Sequence, residues 1–217
     1  NLSDENNGIT ELKQKEYKML LESNVLKIDR GLKILSPKFF EILTRVNKFV
    51  DETGKPIGKI LFYSEFRSDS GGEIFDKILE ANGYEKYDYT KPLTKSKKYT
   101  FYTGEENKLE RKKNLEAFKN SDNIYGEQIQ IMIISGAGAE GISLTGIRQV
   151  HILEPYWNYV RIDQVFGRAI RMESHEQLPE SKRNVEQYIY LSKFPKGTTI
   201  KEVYDNIKQL NNWNIPK

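Results

Sequence analysis

The sequence has no cysteine, two histidines, two tryptophans and seven prolines among 217 residues. Without cysteine there is no disulfide and no thiolate metal site, which fits a reducing compartment. His151 stands in an apolar run and reads as core. His175 stands in a loop with Glu173 and Glu176, too few ligands for a metal site. No apolar run approaches the ~20 residues of a membrane helix. No leader segment is visible, so no membrane partner is expected. Charge of one sign is also missing: 34 Lys and Arg face 31 Asp and Glu, a net of +3. Any basic surface must therefore be local. The phosphate loop GxxxxGK[ST] is absent. Gly54-Lys55 is followed by Pro56, and Gly58-Lys59 by Ile60. No Asp-Glu pair follows a buried strand, so the phosphate cradle and Mg²⁺ ligands of a nucleotide-hydrolysing P-loop site are missing.

The length suits one sizeable domain with a flanking segment. The chain begins at Asn1 and not Met, which leads us to expect a piece of a longer protein. Residues 1–35 read as an N-terminal helical extension or linker, and 36–217 as the domain. Ile9 to Leu26 is rich in helix formers, with Leu12, Met19 and Leu20 on a partial stripe. Ser36-Pro37 marks a helix start. Phe39, Phe40, Ile42, Leu43, Val46 and Phe49 recur at helical spacing to about Val50. Asp51 to Gly58 is a turn. Lys59 to Ser64 is a buried strand. Gly71 to Asn82 is a helix burying Ile74, Phe75, Ile78 and Leu79, ended by Gly83.

Glu85 to Lys98 carries Lys91, Lys95, Lys97 and Lys98 and reads as a loop, solvated or touching a polyanion. Tyr99 to Gly104 is a strand. Glu105 to Asn120 is a charged helix with Leu109, Leu115 and Phe118 inward. Val185 to Leu191 is a strand, and Thr198-Thr199 opens a closing helix through Val203, Ile207 and Leu210. About five strands alternate with helices. That pattern implies an α/β fold with a parallel sheet covered on both faces, and ligands at the carboxyl edge.

The densest chemistry lies between Ile129 and Arg171. Ile129 and Ile131 to Ile134 suit a strand buried on both faces. The small residues of Ser135 to Gly141 follow, where backbone N–H groups can approach an anion. Val150 to Leu153 is a second apolar strand, stopped by Glu154-Pro155. A helix then carries Gln164, Gly167, Arg168 and Arg171. At about 100° per residue, positions i, i+4 and i+7 share a face. Gln164, Arg168 and Arg171 therefore share a side if the helix reaches Arg171. Ile162, Val165, Phe166 and Ile170 are left to pack.

Gln164-x-x-Gly167-Arg168-x-x-Arg171 resembles motif VI of superfamily 2 helicases. Ser135 to Ser143 is similar to their motif V, and the strand ending in Ser64-Glu65-Phe66-Arg67 to their motif IV. Thr103-Gly104 resembles the Thr/Gly pair after the equivalent strand. HILEPYWN is similar to the strand and turn of Snf-type translocases. The segment Ser174 to Pro179, with Arg183 and Tyr188 to Leu191, resembles helicases of large nucleocytoplasmic DNA viruses, the poxvirus-like and asfarvirus-like transcription ATPases among them. The resemblance spans roughly residues 36 to 193.

This resemblance implies a second RecA-like helicase lobe. ATP and Mg²⁺ would sit against an absent first lobe, the N-terminal RecA-like lobe of the same protein. It implies that Arg168 and Arg171 act as arginine fingers, with Arg171 the main one, and that Gly141 and Gln164 meet ATP. It also implies nucleic-acid contacts from Ser64, Thr103, Gly104, Ser135 and Gly136, with DNA favoured over RNA. If the chain is viral, the host cytoplasm and the virion are its expected places.

Glu140 and Ser143 stand where DEAD-box proteins carry arginine and aspartate, so an RNA clamp of that kind does not follow. Ser64 reads equally as a phosphate donor or a strand-end cap. Trp157 reads as packing or as a stacking platform. Two further readings stay open. One is a RecA-like module that holds nucleic acid or protein without turnover. The other is a P-loop-family enzyme unrelated to nucleic acid.

Overall fold

A computed structural model describes residues 14–67, 71–92, 97–136, 142–155, 159–170 and 174–193, with positions 197, 199 and 201. The side chains of Arg161 and Arg168 lie outside the described residues, as does the closing helix expected after Thr199.

The apolar hexapeptide Lys59–Ser64 forms β1, buried along its whole length. It can be central only because both its neighbours are strands that satisfy its peptide groups. These are β4 (Ile131–Ser135) and β5 (Ile147–Ile152), both parallel to it. Three further strands complete the sheet: β2 (Glu85–Lys86) and β3 (Lys98–Tyr102) precede β4, and β6 (Glu186–Ile189) follows β5. The six-stranded sheet has the order β2-β3-β4-β1-β5-β6, and every pairing is parallel. This is the parallel α/β architecture expected of a RecA-like lobe. The sixth strand was not expected. β2 is two residues long, too short for any periodicity to announce it.

Successive residues of β1 feed opposite cores, as the strand's period of two requires. Ile60 and Phe62 join one cluster, and Leu61 and Tyr63 the other. Each such buried side chain contributes roughly 1.5–3 kcal/mol. The first cluster is covered by α2 (Pro37–Lys48) and α3 (Gly72–Ala81). A four-residue helix, α1 (Leu32–Leu35), precedes α2. Ser36 caps α2 by accepting from the Phe39 N–H, with Pro37 at the first helical position, as sequence predicted. Phe39, Phe62 and Phe75 stack with centroids 4.1–6.5 Å apart.

The described residues before Ser36 are fastened to this core. Leu26 and Leu32 are buried in it, and Asn82 clamps the segment by accepting from Ile28 N–H and donating to the Leu26 carbonyl. Of the stripe expected there, Leu20 packs against the core, while Met19 is 55% exposed and Leu21 packs in its place. Leu12 lies outside the described residues.

The opposite face is covered by α4 (Lys108–Lys119) and α5 (Tyr159–Ala169). Leu109 does not face inward as expected; it is 55% exposed. Nine residues at about 100° each place it half a turn away from the buried Phe118. Asn114 takes the inward position, its amide donating to the Phe101 carbonyl at 3.0 Å. In α5 the buried stripe is Ile162, Val165, Phe166 and Ala169. Ile170, expected to pack, stands beyond the helix end and is 45% exposed.

His151 is core, as expected. It is wholly buried and stacked against Tyr188 and Tyr190, with centroids 5.0 and 5.9 Å away. Its Nδ1 lies 2.7 Å from the Tyr190 hydroxyl and its Nε2 3.2 Å from Gln149 Oε1. The amide oxygen can only accept, so Nε2 carries the proton and Nδ1 accepts. Burial, with the nearby Arg45 charge, pushes its pKa from 6.5 down to about 3. The unfolded chain therefore binds this proton more readily than the folded one between those values. The imidazole's stabilising share is complete above pH ~6.5 and is lost as pH falls towards 3. Denaturation midpoints of wild type and His151→Phe should diverge across this window, with the wild type losing stability faster in acid. Parallel pH dependences would contradict this assignment.

Candidate nucleic-acid and nucleotide edge

Because every strand runs the same way, all carboxyl ends meet at one edge. Ser64 ends β1 directly in register with Ser135, which ends β4. Tyr102 of β3 is in register with Ile134 of β4, so Thr103 comes next to Ser135. Thr103, Ser135 and Ser64 thus form a row across three adjacent strands, spaced by roughly 4.8 Å per strand. The structure brings together these three of the five expected nucleic-acid contacts, with Gly104 and Gly136 in the turns just beyond them.

The hydroxyls do not project from this edge. Ser64, Thr103 and Ser135 are buried. The Ser64 hydroxyl accepts from Phe66 N–H at 3.2 Å and has two acceptors within reach, the Phe66 carbonyl at 2.8 Å and Glu154 Oε2 at 2.9 Å. Thr103 donates its hydroxyl to the Glu106 carboxylate at 2.8–3.0 Å and its N–H to the same group at 2.6 Å. What the edge offers a ligand is therefore chiefly turn backbone, with Gly104 exposed and Gly136 half-buried.

Two of the turns are locked to each other. Arg67, from the β1 turn, lies 3.6 Å from Glu106 and 3.4 Å from Glu105 of the β3 turn. Its guanidinium also sits 4.0 Å from the Phe101 ring centroid. Gly71 closes the β1 turn from below. A Cβ there would lie 1.9 Å from the Phe66 carbonyl oxygen and 2.1 Å from Ser64 Oγ, so no other residue fits. Gly136 faces Glu65, whose carboxylate a Cβ would meet at 3.0–3.1 Å. Tyr63 donates to that carboxylate at 2.5 Å. Burial pushes the Glu154 carboxyl up from its ordinary range, against the hydrogen bonds from Ser64 and Glu65 N–H that favour its charge.

On α5, Gln164 and Gly167 are exposed, on the side away from the buried stripe. Position 168 follows Gln164 by four residues within the helix, so the two backbone positions share a side. The Arg168 side chain, Gly141 and Arg171 lie outside the described residues, as do Trp157, Glu140 and Lys95. Of the other loop lysines, Lys91 pairs with Asp88 at 3.1 Å, Lys98 with Glu85 at 2.7 Å, and Lys97 sits over the Tyr84 ring. His175 is buried, 2.7 Å from Ser174 Oγ and 2.6 Å from the Ile147 carbonyl.

Glu106 and Glu154 escaped the sequence reading. Thr103-x-x-Glu106 has the spacing of a capping box, which signals the first. The second contacts Ser64 across 90 positions, and no local pattern reveals that.

The all-parallel sheet, with the α5 helix on one of its faces, is the architecture of a RecA-like lobe. The chain belongs to the family of the helicase conserved C-terminal domain, whose model matches residues 41–173. A protein of Acanthamoeba polyphaga mimivirus, named a putative ATP-dependent RNA helicase, is 31% identical over 160 residues, covering 74% of this chain and 26% of its own. The termination factor NPH-I homolog of African swine fever virus is 41% identical over 99 residues, covering 46% of this chain and 14% of its own. Nucleoside triphosphatase I of Melanoplus sanguinipes entomopoxvirus is 41% identical over 96 residues, covering 44% and 15%. The chain thus spans 26% or less of the length of these relatives.

Replacing Gly71 by alanine should destabilise the lobe by about 1–3 kcal/mol, because backbone and Ser64 must both move. Thermal melting of Gly71→Ala against wild type measures this. An unchanged melting temperature would show the β1 turn to be looser than its contacts indicate.

Proposed function

We propose that this lobe serves an ATP-dependent helicase or translocase by supplying arginine fingers to a nucleotide held mainly by the first lobe. Support comes from family membership together with an exposed Gln164 face on α5, in a chain whose sequence carries no phosphate loop. Among the described residues, no group of three or more His, Asp or Glu could hold a metal ion. Mg²⁺ in this reading belongs with the ATP phosphates on the first lobe. Gln164 and Gly141 meet the nucleotide on closure. Arg171, aided by Arg168, then stabilises the charge that develops on the transferred phosphoryl group. Arginine suits this because its planar fork stays protonated and binds two phosphate oxygens.

The nucleic-acid backbone would cross the turns after β1, β3 and β4, which hold Ser64, Thr103–Gly104 and Ser135–Gly136, and would approach closest at the two glycines. Such contacts carry no sequence information and weaken with salt. We favour DNA, in transcription or genome handling and with a viral source. The mimivirus relative's name makes RNA the substrate to measure beside it.

In the full-length protein, Arg171→Ala should cut ATP turnover by about 10³- to 10⁵-fold, the usual worth of such a finger. The isolated 217-residue chain should show no appreciable hydrolysis. Phosphate release measured with and without DNA or RNA tests both. Robust hydrolysis by the isolated chain, or undiminished turnover in Arg171→Ala, would contradict the assignment.

A further inference from the structure

In each of the three turns at the carboxyl edge, a carboxylate of the chain already stands against the turn. In the β1 turn Glu154 takes the Ser64 hydroxyl at 2.9 Å and the Glu65 N–H at 3.2 Å. In the β3 turn Glu106 takes the Thr103 N–H at 2.6 Å and its hydroxyl at 2.8–3.0 Å. In the β4 turn the anion is Glu65. A Cβ on Gly136 would lie 3.0 Å from Glu65 Oε2 and 3.1 Å from Oε1. Both oxygens of this carboxylate therefore face the glycine.

The three are not built in equally. Glu106 is buried and holds its own turn together. Glu154 joins the ends of two adjacent strands. Glu65 is half-buried, and its carboxylate is held at Gly136 by the Tyr63 hydroxyl at 2.5 Å. Gly136 carries no side chain, so its backbone is where a ligand can come closest to the β4 turn. A carboxylate and a phosphate are both anionic acceptors. At contact distance each excludes the other, by volume and by charge.

We propose that Glu65 is an autoinhibitory stand-in for a phosphate. Its carboxylate, held by Tyr63, fills the approach to Gly136, and nucleic acid settles on the β4 turn only by turning it aside. The proposal rests on the functional reading above. It gives the resting edge a lower affinity than its backbone geometry allows.

Equilibrium binding of labelled single-stranded DNA and RNA oligonucleotides to the full-length protein, without ATP, tests this. Glu65→Gln removes the charge and keeps the shape. Affinity should rise by about fivefold or more at low salt, the worth of one unit repulsion at contact distance in water, and the gain should shrink as salt rises. Glu65→Asp keeps the charge but withdraws it by one methylene, and should also bind more tightly than wild type. Tyr63→Phe frees the carboxylate and should act in the same direction. Glu127→Gln removes an equal charge from an exposed position just before β4, at the opposite edge, and should change nothing. Unaltered or weaker binding by Glu65→Gln overturns the proposal. So does an equal gain in Glu127→Gln, which would reduce the effect to total charge. Wild-type affinity in both Glu65→Asp and Tyr63→Phe overturns it too, because the carboxylate's placement would then not matter. A wild type that binds neither DNA nor RNA overturns the functional reading and the autoinhibition with it. A wild type that binds, with unaltered variants, overturns the autoinhibition alone.

Discussion

The parallel register of β1 between β4 and β5 is the constraint on which the molecule turns. A strand buried on both faces has no water to satisfy its peptide groups, so both neighbours must pair with it along its length. Ile60 to Ser64 pair with Ile131 to Ser135, and Ile60 to Tyr63 with Gln149 to Ile152. A slip of one residue would send Phe62 into the cluster that now holds Leu61 and Tyr63. It would also take Ser64 out of line with Ser135. One set of main-chain hydrogen bonds therefore fixes two hydrophobic cores and the alignment of the ligand edge.

That edge is less basic than a polyanion site is commonly pictured. Glu65, Glu105, Glu106 and Glu154 lie in or against its turns, and Arg67 is engaged by two of them. The buried Glu106 and half-buried Glu154 carboxylates organise the turns by accepting from Thr103, Ser64 and backbone N–H groups. A near-neutral total charge is consistent with this: the edge presents no broad positive field.

Much of the fold could be read from periodicity. β1, α2 and α3 fall within a residue or two of their expected limits, because each has a clean apolar pattern and punctuating Ser36-Pro37 or Gly83. The reading failed where no pattern existed or where it was short. β2 has two residues, Leu109 belongs to a helix so charged that its inward face is carried by Asn114 and Phe118, and Ile170 lies just past a helix end. For the site, strand ends located Ser64, Thr103 and Ser135. Whether their hydroxyls faced outward depended on carboxylates from other turns, and the Ser64–Glu154 contact is visible only in three dimensions.

In the proposed function, nucleic acid lies over the carboxyl edge, across the turns after β1, β3 and β4. Hydrogen–deuterium exchange of the lobe, with and without a single-stranded oligonucleotide, reads this most directly. At low salt the amides of residues 64–67, 103–106 and 135–136 should slow on binding, and the effect should fade as salt rises. Slowing confined to the opposite edge, around residues 56–58 and 124–130, or to the outer face of α4, would contradict it.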